Sequence, residues 1–315
     1  MQTGGHARLA EDLQRSPVKR MMPARDEDAL GKVLEVGSVG WCSSIRSREK
    51  LLACVKHRIA DGSVVDLIGM WLNAVVVDGE DGSPGGKRTR NEKGTPQGGV
   101  ISPVLANLFL HWFDVLFHGS QGPARQVGAR LVRYADDLVI LTRKWTPELT
   151  AWVESNLEGK FGLEINREKT RVVEVKPSGG SLDFLGYTFR WDRDLKGRRG
   201  RKYLNVFPSA KSVAREREKL RALTSAEQCH TPLPEWVDRL NRQRKGWANY
   251  YDYGYPRQAW WEIGWFVRGR LIQHLRRRSQ RPYRPGREES WYEHIQSLGL
   301  VLLNQLSPRG RLVHA

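Results

Sequence analysis

Apolar residues recur at helical spacing over Arg48–Leu72, where Leu51, Leu52, Val55, Ile59, Val64, Leu67, Ile68 and Leu72 form a stripe interrupted at Asp61-Gly62. The interruption predicts two helices. A second stripe, Leu105, Leu108, Phe109, Trp112, Phe113 and Leu116, predicts an amphipathic helix over Val100–Phe117. Further helices are expected over Pro147–Phe161, Ser209–Leu223, Pro234–Tyr253 and Trp260–Arg278. Between them lie short runs that suit strands. Ala74–Val77 begins one, Asp78–Asn91 reads as a turn-rich hairpin tip, and Thr170–Val175 is expected to pair with Phe184–Trp191. Residues 1–40 hold no sustained period, and Ala24–Val36 is expected to form a short helix. The pattern predicts an α/β chain of the α+β kind. An antiparallel sheet flanked by helices comes first, followed by an all-helical part.

Leu131–Leu141, Leu-Val-Arg-Tyr-Ala-Asp-Asp-Leu-Val-Ile-Leu, is an apolar run with two carboxylates inside it. Its arms read as two buried strands and Tyr134-Ala135-Asp136-Asp137 as the turn between them. A buried pair of carboxylates is costly unless a cation faces it. A tight hairpin presenting two aspartates suits a divalent metal, since Mg²⁺ is usually held by one or two carboxylates plus substrate phosphates. The plainer reading is an Asp-Asp surface turn, for which Asp is well suited.

Composition separates the two halves of the chain. The net charge is +17 over 315 residues. Residues 190–315 hold 27 Lys and Arg against 12 Asp and Glu, whereas residues 1–189 hold 25 against 23. A near-neutral half joined to a basic half points to a polyanionic partner for the second. Most of the twelve Trp lie after residue 190, and aromatic planes among cations suit unpaired RNA. No apolar run is long enough to span a bilayer, and the N-terminus lacks a signal-peptide pattern. Cys42, Cys54 and Cys229 are widely spaced, which suggests a reducing compartment and no zinc site.

Four segments taken in order resemble the group II intron reverse transcriptase/maturase family of bacteria. Gly94-Thr95-Pro96-Gln97-Gly98-Gly99-Val100-Ile101-Ser102-Pro103 precedes the Tyr134-Ala135-Asp136-Asp137 box. Phe184-Leu185-Gly186-Tyr187 follows it, and Leu240-Asn241-Arg242-Gln243-Arg244-Lys245-Gly246-Trp247-Ala248-Asn249-Tyr250-Tyr251 is similar to the maturase (thumb) signature. The resemblance covers roughly Leu51 to Leu306. It implies an irregular segment over 1–40, a palm domain over 41–207 and a maturase-specific thumb over 208–315. A full-length relative carries a long fingers region ahead of the palm, for which this chain has no room. The resemblance further implies RNA-directed DNA synthesis in the bacterial cytoplasm, with Mg²⁺ as cofactor and intron RNA, an RNA template, a DNA primer and dNTP as partners. Asp136 and Asp137 become the catalytic metal ligands. Gln97, Gly98, Gly99 and Lys169 become template or nucleotide contacts, and Arg242, Arg244, Lys245 and Trp247 grip RNA. Each has a plainer role too: a Pro/Gly loop opening a helix, an exposed strand-edge lysine, or, for Tyr250 and Tyr251, core packing.

One position departs from the family. Relatives carry a third metal-site carboxylate in the segment matching Trp41–Leu52, and Ser43 occupies that place here. Serine lacks the charge needed to hold two Mg²⁺ ions against phosphate. Three readings therefore stand: a polymerase, an RNA-binding maturase remnant that helps an intron fold, and a relic.

Overall fold

The computed structural model describes residues 32–36, 39–40, 48–78, 87–90, 101–176, 179–193, 202–278, 283–286 and 289–303. The chain divides into two compact units, Met1–Lys176 and Pro177–Ala315. In the first unit the strands are β1 (Lys32–Val36), β2 (Val39–Gly40), β3 (Val75–Asp78), β4 (Lys87–Arg90), β5 (Arg130–Tyr134), β6 (Asp137–Thr142), β7 (Glu164–Ile165) and β8 (Arg171–Val173). Its helices are α1 (Arg48–Lys56), α2 (Gly62–Asn73), α3 (Ser102–His118), the single turn α4 (Pro123–Gln126) and α5 (Pro147–Glu154). The break expected at Asp61-Gly62 is the start of α2, where the Asp61 carboxylate accepts from Ser63 N at 2.8 Å and caps the helix. Ser155–Lys160 carries α5 on as a wider π turn.

The main sheet runs β5-β6-β1-β8, antiparallel throughout. Two expectations are corrected here. Lys32–Val36 is not part of a helix but an inner strand, with β6 on one side and β8 on the other. Five residues are too few to show a helical period, and the Val-rich segment Lys-Val-Leu-Glu-Val suits a strand between two neighbours. β8 therefore pairs with β1 and not with the segment after Phe184. The sheet face bearing Leu131, Leu138 and Ile140 packs on the helices, in one core with Leu51, Val55, Ile68, Leu105, Phe109, Phe113, Val153 and Leu157. Val132 and Val139, on the opposite face, are also buried.

The second unit opens with a three-stranded antiparallel sheet ordered β11-β10-β9, from β9 (Ser181–Phe184), β10 (Tyr187–Arg193) and β11 (Lys202–Pro208). Helices α6 (Ala210–Leu223), α7 (Leu233–Tyr250), α8 (Arg257–Arg277) and α9 (Trp291–Ser297) follow. The domain boundary implied at 207/208 thus falls inside a compact unit, and the helices share that unit with a sheet. The reason lies in the turn between β9 and β10. Gly186 O accepts from Ser209 N at 2.8 Å and from Ser212 Oγ at 2.9 Å, so the turn is tied to the start of α6. Gly186 has φ +79°, and a side chain there would press on the Tyr251 hydroxyl. Tyr187 donates its hydroxyl proton to Tyr250 O at the end of α7.

Candidate functional site

In the first unit, β5 and β6 are joined by the two-residue turn Ala135-Asp136, closed by the Tyr134–Asp137 pair. Ala135 takes a left-handed φ of 53°, an uncommon conformation for a residue with a side chain. Arg133 over-determines it. Its Nη1 donates to Ala135 O at 3.1 Å and to Asn107 Oδ1 at 2.7 Å. Its Nε and Nη2 form a fork on the Asp114 carboxylate, with Nη2–Oδ2 at 2.7 Å. Asn107 and Asp114 both lie on α3, so the apolar helix that fills the core also anchors the turn.

Asp136 and Asp137 are half-buried, side by side, as the hairpin reading expects. The Asp137 carboxyl is pushed above its ordinary range by burial first and by the Asp136 charge second, while Lys169 pulls it back. The structure thus brings Lys169, exposed beyond the end of β7, within electrostatic reach of the pair. A carboxyl raised by a neighbouring negative charge is relieved by a cation, and in that respect the Asp136-Asp137 turn fits a divalent metal. Among the described residues, no three His, Cys, Asp or Glu side chains come together at one point. The neighbouring strand β1 ends at Val36, which pairs with Leu138, one residue beyond Asp137. Ser43, Gln97, Gly98 and Gly99 lie outside the described residues.

In the second unit, α7 carries the thumb signature, and burial sorts its residues into two groups. Arg242 and Lys245 are exposed. Arg242 reaches back to Asp238 at 3.3 Å and lines a cleft of about 500 Å³ with Arg215, Lys219 and the Leu185-Gly186 turn. Arg244 and Trp247, expected to grip RNA, point inward. Arg244 is 1% exposed and Trp247 9%. Arg244 Nη1 donates to Val301 O at 2.9 Å, and Trp247 packs on Tyr251 with ring centroids 5.1 Å apart. Asn241 completes the clasp, donating to Gly299 O at 2.8 Å and accepting from Val301 N at 3.0 Å. Two of the most distinctive residues of the signature hold the segment after α9 in place. Arg244 lies four residues after Leu240 and three before Trp247, on the face of α7 that the core takes up.

Two family models match the chain. A model described as "Reverse transcriptase (RNA-dependent DNA polymerase)" matches residues 49–189. One described as "Group II intron, maturase-specific domain" matches residues 213–291. The chain joins a reverse transcriptase domain to a group II intron maturase-specific domain. Protein YkfC of Escherichia coli (strain K12) is 29% identical over 166 residues, covering 44% of this chain and 41% of that protein. The group II intron-encoded protein LtrA of Lactococcus lactis subsp. cremoris is 22% identical over 214 residues, covering 49% of this chain and 34% of LtrA. The chain thus spans less than half the length of these curated relatives. Among solved structures, telomerase from Candida tropicalis in complex with a TWJ fragment of telomeric RNA is similar with a TM-score of 0.41 and 11% identity, over 96% of this chain and 52% of that one. Telomerase from Candida albicans is similar with a TM-score of 0.37 and 14% identity, over 87% of this chain and 48% of that one. The Asp136-Asp137 hairpin lies within the reverse transcriptase domain, a family that uses divalent metal, and the α6–α8 helices lie within the maturase-specific domain.

The maturase-specific domain also holds functional candidates that motif reading missed. Trp261 is 67% exposed, Trp265 52% and Tyr292 44%. α8 buries a first stripe, Trp260, Ile263, Val267 and Leu271, in the core. Trp261, Trp265 and Arg268 recur at i, i+4 and i+7 on a second stripe that the core does not need. A second aromatic stripe on an already amphipathic helix is the signal that finds them.

Proposed function

We propose that this chain is an RNA-binding maturase of the group II intron type whose polymerase centre is impaired. The observation that carries the impairment is a run of sequence: from Val36 through Arg48 there is no Asp or Glu. Asp136 and Asp137 would hold Mg²⁺, which when bound supplies charge neutralisation at the substrate phosphates. Their own contribution is to present two carboxylates from a turn that Arg133 fixes. A two-metal centre holds ions about 3.5–4 Å apart between carboxylates from more than one strand, and β1, beside β6, ends on Val36, with its one acidic residue, Glu35, paired further back at Val139. Lys169 would steady an incoming phosphate, and Gln97, Gly98 and Gly99 would meet template or dNTP. RNA binding rests on the surplus of cations in residues 190–315 and asks nothing of the third carboxylate.

The test has two arms. In primer extension on an RNA template with Mg²⁺, the unmodified chain gives little product, and Gly37→Asp raises it more than Ser43→Asp does. β1 ends beside the aspartate turn and Gly37 follows it directly in the chain, which favours Gly37 over Ser43, the position the resemblance implied, as the place of the missing carboxylate. Robust extension by the unmodified chain, abolished by Asp136→Ala, overturns the impairment. In filter binding, affinity for structured intron RNA falls steeply with salt through counterion release. A flat salt response, or no binding at low salt, overturns the RNA-binding reading.

A further inference from the structure

A cleft of about 420 Å³ lies between α8, α9 and the segment after α9. Its outer wall is Trp261, Trp265, Arg268 and Tyr292, and its floor is apolar, with Ile295 and Leu303 among the lining. Arg268 is held between two rings, its guanidinium carbon 5.0 Å from the Trp265 centroid and 5.6 Å from that of Tyr292. Trp261 and Trp265 meet edge to face at 5.6 Å. Among the described residues, the cleft is lined by Arg244, Arg257 and Arg268 and by no Asp or Glu. The one acidic residue of α8, Glu262, is engaged elsewhere by Arg217 at 3.1 Å.

We propose that this cleft is a stacking site for unpaired bases of RNA, with Trp261 and Trp265 supplying the planes and Arg268 the cation. The proposal rests on the RNA-binding reading above and says where and how part of that binding occurs. Three large aromatics left in solvent along one line are an apolar patch that wants a partner. The absence of acid from the lining, against a surplus of cations, makes an anionic partner complementary. A nucleic acid supplies both the aromatic face and the charge, and base–aromatic stacking tolerates any base. Paired RNA keeps its bases inside the helix, so the fitting segment is a loop, bulge or end. The volume lies in the range of sites that bury a small planar group rather than that of a flat membrane-facing patch.

The experiment uses the full chain, with fluorescein-labelled single-stranded RNA and a blunt RNA duplex of equal length as probes in anisotropy titrations. Trp261→Ala combined with Trp265→Ala weakens single-stranded RNA binding roughly ten-fold or more, since stacking on one or two bases is lost. Duplex affinity stays within about two-fold, because the phosphate contacts lie elsewhere. Trp261→Phe with Trp265→Phe keeps the planes and most of the affinity, which shows that the alanine effect is not misfolding. Equal affinity of the alanine variant and the unmodified chain for single-stranded RNA overturns the proposal while leaving the RNA-binding reading intact. Equal losses on single strand and duplex also overturn it. Failure of the unmodified chain to bind either RNA overturns the underlying reading. Partition of the unmodified chain onto phosphatidylserine vesicles that the alanine variant loses, with RNA binding unchanged, assigns the cleft to a membrane surface instead.

Discussion

Arg244 is the residue whose reading changed most, and it allows a sharp test. Burial pulls its guanidinium down to about 10, against a weaker opposing pull from Glu216. Holding its charge in the fold is therefore about 3 kcal/mol harder than in the unfolded chain. The return is a hydrogen bond from the charged Nη1 to Val301 O at 2.9 Å, worth about 1.5–3 kcal/mol net. Among the described residues its Nε has no hydrogen-bond partner, and neither does Glu216 Oε1. The two effects oppose each other, and the burial cost is at least as large. Arg244→Met keeps most of the volume and removes the charge, so its stability matches or exceeds that of the unmodified chain, by up to about 2 kcal/mol. Arg244→Ala opens a cavity in addition and loses about 2–4 kcal/mol relative to Met. Urea unfolding at neutral pH, followed by circular dichroism, measures both. The pH dependence carries a second sign. Burial raises the Glu216 carboxyl, while Gln243, Lys219 and Arg244 restrain it. A raised carboxyl contributes stability that is complete below its unfolded pKa and lost as pH rises through its folded pKa. Removing Arg244 lets Glu216 climb further, so Arg244→Met gains on the unmodified chain as pH falls from neutral. A Met variant as unstable as the Ala variant would refute the reasoning, for it would show that the buried charge itself stabilises the fold.

Two further outcomes are expected. Gly186→Ala costs about 2 kcal/mol or more, because the turn's positive φ and the nearby Tyr251 hydroxyl and Ser212 Oγ both oppose a side chain there; a melting temperature within a degree of the unmodified chain's would contradict this. Millimolar Mg²⁺ raises the melting temperature of the unmodified chain but not that of Asp136→Asn combined with Asp137→Asn, since only the former has an opposed carboxylate pair to neutralise; equal shifts in both would place the cation elsewhere.

The elements that were legible in the sequence are those with long periods. Arg48–Leu72, Val100–Phe117 and Trp260–Arg278 repeat their apolar residues over several turns, and each is a helix or a pair of helices near the expected bounds. The Asp-Asp hairpin was legible for another reason: apolar residues on both sides, Leu131-Val132 and Leu138–Leu141, flank a pair of residues that no core would hold. What stayed hidden depends on partners distant in the chain. β1 has five residues, and only its pairing with β6 and β8 makes it the centre of the sheet. β11 has no predicted element of its own, and it is β10 that supplies its register from Tyr187↔Pro208 to Arg193↔Lys202. The thumb signature failed in a more instructive way. Arg244 and Trp247 look like RNA contacts because their types suit RNA, but side-chain type does not say which face of α7 they occupy. The clasp of Asn241 and Arg244 on the Gly299–Val301 backbone settles that, and it joins residues about 60 positions apart. The same segment then forms part of the floor beneath Trp261 and Trp265. Asn241 and Arg244 thus shape the proposed α8 cleft from beneath, and substitution at either would weaken RNA binding by deforming that cleft.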